Sequence, residues 1–97
     1  MKYRLQITIP GNISPTERGE RFELPLCDLF DEVQGDIIGS GSTILSGIVT
    51  ESDIEVTFDD LEMIYPRIIQ ILQCGKAPTG TTIEQIEPSQ KQLYREE

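Results

Sequence analysis

The 97-residue chain contains no histidine, only two cysteines (Cys27 and Cys74), and only eight Lys and Arg against seventeen Asp and Glu. Without histidine, no side chain titrates near neutrality at its ordinary pKa, and the commonest general base and commonest metal ligand are both missing. Two cysteines are too few for a disulfide framework, and they form neither a CxxC pair nor any metal-ligand spacing. With no His partner, and lying on predicted apolar helix faces or ends, they are expected to be reduced, inert core thiols. No apolar run approaches the ~18 residues of a membrane span, and the N-terminus alternates like a strand rather than a signal peptide. A cytoplasmic, soluble protein is therefore expected.

The shortage of cations leaves a formal net charge of -9. A chain this acidic is repelled by nucleic acid and by anionic membranes, and its field attracts cationic partners. The expectation is a binding protein and not an enzyme, with no catalytic residue, cofactor or metal. At 97 residues the length allows one small domain.

Periodicity gives the elements. Residues 2–9 alternate, with Tyr3, Leu5, Ile7 and Ile9 on one face, and the strand stops at Pro10-Gly11-Asn12. Ser14 to Gly19 reads as a connecting loop. Phe22, Leu26, Leu29, Phe30 and Val33 follow helical offsets, which predicts a helix from Pro25 to Gln34 with Pro25 at its first position and Gly35 ending it. Residues 36–45 and 48–58 pair as a hairpin about Ser46-Gly47. The simplest register sets Leu45 against Ile48, Thr43 against Thr50, Gly41 against Ser52 and Ile37 against Val56, all on the core face of Ile54, Val56 and Phe58. Gly39 and Gly41 then also face inward, where they would let a helix approach closely.

Asp59 and Glu62 have the spacing of a capping box for a second helix, whose stripe of Leu61, Ile64, Tyr65, Ile68, Ile71 and Leu72 runs to Gly75, with a kink expected at Pro66. Residues 81–87 form a last short strand with Ile83 and Ile86 inward. The order β-α-β-β-α-β predicts an α+β fold: a single two-layer, ferredoxin-like sandwich with a mainly antiparallel four-stranded sheet and both helices on one face. Residues 1–88 make this domain, and residues 89–97 a polar tail that frays despite Leu93 and Tyr94. The first and third strands are neighbours, which brings Lys2 and Arg4 near Asp53 and Glu55.

Gly39-Ser40-Gly41-Ser42-Thr43 matches no phosphate-loop spacing and lacks the lysine, so packing or a strand bulge accounts for it better. The acidic clusters fit neither a calcium loop nor a sugar cleft. The outer sheet face carries Ile38, Ile44 and Val49, bordered by Glu51, Asp53 and Glu55, which has the character of an interface core with a polar rim. Asp31, Glu32 and Asp36 form a second acidic group beside the first helix. These nine residues are the candidate partner-binding set, and a homodimer through the outer face is an alternative use of it.

The Gly39-Ser40-Gly41 strand, the Asp53-Ile54-Glu55-Val56 strand and the segment Cys74-Gly75-Lys76-Ala77-Pro78-Thr79-Gly80-Thr81-Thr82-Ile83 resemble small bacterial immunity proteins. Those proteins are made beside polymorphic or contact-dependent growth-inhibition toxins. The resemblance implies a protein that binds its cognate toxin, often a basic nuclease, and occludes the active site. The alternatives are an acidic ferredoxin-like module with a regulatory role in ligand binding or dimerisation, and a nucleic-acid mimic.

Overall fold

A computed structural model describes residues 2–97. The elements in order are β1 (Tyr3–Pro10), α1 (Pro15–Arg18), a π-helical turn (Gly19–Glu23), α2 (Leu24–Glu32), β2 (Gly35–Leu45), β3 (Ile48–Phe58), α3 (Leu61–Cys74), β4 (Thr82–Glu87) and β5 (Lys91–Arg95). The strands form one open sheet in the order β2-β3-β1-β4-β5, with every neighbouring pair antiparallel. The fold is thus α+β with a five-stranded sheet and two helical rods, α1 to α2 and α3.

One sheet face and the helices enclose the core. Leu5, Ile7 and Ile9 of β1, Ile54, Val56 and Phe58 of β3, and Ile83 of β4 meet Phe22, Leu26 and Leu29 of the first rod and Ile64, Ile68 and Leu72 of α3. The period of two on the strands and the i, i+4 spacing on α3 put all of these side chains on facing surfaces. Each such burial contributes about 1.5–3 kcal/mol.

The first rod begins earlier than expected. Ser14 to Gly19 is not a loop: Ser14 N-caps α1, its Oγ accepting from the Glu17 amide at 3.1 Å, and Pro15 occupies the first turn. The rod stays helical through Pro25 because a π-helical turn precedes it, with the Leu24 amide donating to the Gly19 carbonyl. Pro25 has no N–H for the Arg21 carbonyl, and that carbonyl instead faces Gly75 at the end of α3, where an added Cβ would lie 2.7 Å from it. The Arg21 side chain makes the same junction from outside: Nε donates to the Gly75 carbonyl and Nη2 to the Lys76 carbonyl, each at 2.8 Å.

Asp60, not Asp59, caps α3. Its carboxylate accepts from the Met63 amide at 3.1 Å, while Asp59 accepts from the Lys2 amide at 3.0 Å and ties the start of the chain to the β3 to α3 corner. α3 continues through Pro66, which lies exposed. Cys27 and Cys74 are exposed, so they are not core thiols. Each follows a core-facing residue, Leu26 or Leu72, by one or two positions, which turns it toward solvent.

The tail does not fray over residues 91–95, which form β5 and extend the sheet from four strands to five. The polar sequence concealed this because β5 is held through main-chain groups and one covered face. Tyr65 Oη donates to the Leu93 carbonyl at 2.9 Å, the Gly80 amide to the Glu96 carbonyl at 2.7 Å, and the Glu96 amide to the Thr81 carbonyl at 2.8 Å. Gln85, not Ile86, takes the inward position after Ile83 and is only 2% exposed, with Nε2 donating to the Ser89 carbonyl at 2.8 Å.

Candidate protein-binding surface

The β2–β3 hairpin carries most of the candidate residues, and its register contains two compensating bulges. The turn pairs Leu45 with Ile48 as expected, and Ser46 and Gly47 both have positive φ, 52° and 79°, matching the twist of the arms. The register then slips by one: Thr43 opposes Glu51, Gly41 opposes Asp53 and Gly39 opposes Glu55, before returning to Ile37 opposite Val56. Thr50 is the extra residue at one bulge and Ile38 at the other. A one-residue slip exchanges the two faces, so Gly39 and Gly41 join the acidic outer face and do not approach a helix. A Cβ on Gly39 would meet nothing within 4 Å, and one on Gly41 only the Asp53 carboxylate at 3.6 Å. Ser42 turns inward, where its Oγ accepts from Arg18 Nη1 at 2.7 Å.

Glu51, Asp53 and Glu55 form a row on β3, facing away from the helices because Ser52, Ile54 and Val56 are buried between them. Gly39 and Gly41 beside them leave the two inner carboxylates unscreened on the β2 side. On the other side, among the described residues, only Glu55 of the row has an ion-pair partner: Arg4 Nε lies 3.5 Å from Glu55, and Arg4 Nη1 3.5 Å from Glu87. The expected approach of Arg4 is present, whereas Lys2 is engaged through its amide with Asp59.

The expected apolar centre of this face does not exist as one patch. Ile38 sits at the bulge near the start of β2, six residues from Ile44, which is about 20 Å at ~3.3 Å per residue. Ile44 and Val49 instead oppose each other near the hairpin turn, where alternation from inward Ser42 turns Ile44 to the helix side and not to the expected outer face, beside Leu45 and Ile48. Ile44 is 60% exposed, Leu45 65% and Ile48 56%. The sequence pattern places Leu45 and Ile48 in the core, but the register slip carries them to the outer face with Gly41 and Thr43, beyond the end of β1. Its pairing with β3 ends at Pro10 opposite Glu51, followed by the Gly11 amide donating to the Thr50 carbonyl at 2.9 Å. The signal was in the lengths: each hairpin arm has eleven residues and β1 eight. Asp31 and Glu32 lie on the helix layer, and Glu32 pairs with Arg67 at 3.6 Å, so they do not share a face with the β3 row. Asp36 is exposed at the opposite end of β2 from the turn.

A groove of about 620 Å³ runs between the first rod and α3, lined in part by Asp28, Glu32, Arg67 and Cys74. Two of its three lining cations are engaged: Arg21 with two carbonyls and Glu17, and Arg67 with Glu32, while Lys76 contributes its carbonyl to Arg21. Among the described residues no group of three or more His, Cys, Asp or Glu side chains is placed to hold a metal ion, and no helix is long and apolar enough to cross a membrane. Burial pushes the Tyr65 phenol above its ordinary pKa. The hydrogen bond to Glu96 does the same for Tyr94, with burial adding to it. The chain matches no protein-family model, no curated protein and no solved structure.

Proposed function

We propose that this chain is an immunity-type inhibitor that binds a cationic toxin domain, of the basic nuclease kind, and occludes its active site through the sheet face turned away from the helices. The observation that supports it is the row Glu51, Asp53 and Glu55, three carboxylates on an uncovered face with one guanidinium beside the last of them. Such a row attracts a cationic partner over several ångströms and raises the rate of encounter. The strand order β2-β3-β1-β4, with a helical connection after β1 and after β3, is read here as a ferredoxin-like unit to which β5 is added. The ligand-binding alternative has less support, because both arginines of the helix-side groove are already paired within the fold.

The test uses the basic C-terminal domain of a secreted toxin encoded beside this gene. The double substitution Asp53→Lys and Glu55→Lys should slow association about tenfold at low salt and flatten its salt dependence. Cells producing the toxin domain should then lose protection. Unaltered association kinetics together with unaltered protection would remove this face from the mechanism.

A further inference from the structure

The hairpin from Gly35 to Phe58 contains four carboxylates, Asp36, Glu51, Asp53 and Glu55, and no Lys or Arg. It also holds four of the six exposed large apolar side chains of the described residues, and three of those, Ile44, Leu45 and Ile48, stand together at its turn. Past Glu51 the arms pair only with each other, apart from the Gly11 amide donating to the Thr50 carbonyl at 2.9 Å, so the turn projects about 10 Å beyond the sheet at ~3.3 Å per residue. Its base is fixed by Arg18, which donates to Ser42 at 2.7 Å and to Glu23 at 2.6 Å. The turn residues Ser46 and Gly47 are themselves exposed.

We infer that the hairpin tip, Ile44, Leu45, Ile48 and the half-buried Val49, is an anchor that inserts into an apolar cleft of a cationic protein, with Glu51 and Asp53 against the basic rim of that cleft. A convex apolar knob exposed in this way marks a contact site. Its shape requires a concave partner. The acidic collar selects the sign of that partner's charge and disfavours a second copy, since two tips would bring two uncompensated acidic hairpins together. Positive φ at Ser46 and Gly47 and the cross-strand pairs Ile44 with Val49 and Leu45 with Ile48 hold the knob in one conformation before binding, which lowers the ordering cost of insertion. The inference rests on the cationic protein partner proposed above and adds where the apolar contact lies.

A benzophenone amino acid placed at Leu45 of the full chain, and in a second variant at exposed Gln90 on the far end of the sheet, tests this by photo-crosslinking in the native cells. The expected result is an adduct from position 45, and none from 90, with one protein of net positive charge. That protein, purified, should bind Leu45→Asp about tenfold more weakly than wild type, through faster dissociation at little-changed association rate. Leu45→Ala should fall between the two, and both variants should keep the wild-type Tm because the side chain is exposed. Absence of an adduct at 45, an adduct with a second copy, an anionic captured protein, or equal affinity for Leu45→Asp would each overturn the inference. A captured cationic protein that needs the tip but does not inhibit growth would remove the toxin reading and leave the anchor. A toxin whose binding falls with Asp53→Lys and Glu55→Lys but not with Leu45→Asp would do the reverse.

Discussion

Two glycines with opposite roles show how much depends on what lies beyond a missing Cβ. At Gly75 an added methyl would lie 2.7 Å from both the Arg21 carbonyl and the Phe22 ring, at the junction where the first rod and α3 meet. At Gly39 it would meet nothing within 4 Å. Gly75→Ala should therefore destabilise the fold by about 1–3 kcal/mol through overpacking. Gly39→Ala should be neutral or stabilise by up to about 1 kcal/mol, because it removes a glycine from a strand interior. Urea unfolding midpoints compare them directly, and equal midpoints for the two variants would contradict this assignment of roles. Sequence alone offers two accounts of Gly39, close approach of a helix or a strand bulge, and the register shows the second, with the bulge at Ile38 beside it. The two bulges that carry Gly39 and Gly41 to the outer face leave no mark in the hydrophobic pattern, since their effects cancel before Ile37.

At the scale of elements, strand identity in β1, β3 and β4 and the stripe of α3 were legible because each has one continuously buried face. Three features were not. The start of the first rod at Ser14 was available in the Ser14-Pro15-Thr16-Glu17 spacing, but Pro25 at a better-looking helix start obscured it. The projecting tip could be read only by comparing strand lengths. β5 has too few apolar residues to declare itself, and it depends on Tyr65, whose phenol donates to the Leu93 carbonyl at 2.9 Å. Tyr65→Phe should cost about 1 kcal/mol. It should also speed amide exchange in residues 91–95 well before the rest of the sheet, and unchanged protection there would show that β5 does not rely on this bond. The pH dependence has a definite sign. The neutral phenol is the donor, and burial raises its folded pKa above the ordinary value of 10.0. Its contribution is thus fully present below that ordinary value and is lost as pH rises through the raised one. β5 should loosen at the alkaline end of the range in wild type, and Tyr65→Phe should lack that alkaline step.

For the molecule as a whole, a net charge of -9 has opposite consequences for folding and for binding. The ion pairs, Arg4 with Glu55 and Glu87, Arg18 with Glu23, Arg21 with Glu17 and Arg67 with Glu32, engage four of the eight cations. All but the Arg18 pair are substantially exposed, and exposed pairs contribute only about 0–1 kcal/mol each. Most carboxylates therefore repel one another through solvent, and the Debye length of ~10 Å at 0.1 M salt is short enough for moderate salt to screen that repulsion. Raising sodium chloride from 0.01 to 0.3 M should stabilise the free chain by about 1 kcal/mol, or about 4–8 °C in Tm for a domain of this size. The same change should weaken a complex with a cationic partner by slowing association, so Tm and binding should move in opposite directions along one salt series. Replacing Asp28 and Asp31 by asparagine should reduce the salt response of Tm while leaving association little changed, because these exposed carboxylates lie on the first rod, in the helix layer and not on the face of the Glu51 to Glu55 row. Asp53→Asn should reduce the salt response of association more than that of Tm. If both substitutions altered the two responses in the same proportion, the acidic charge would act only as a diffuse field, and the β3 row would have no special part in recognition.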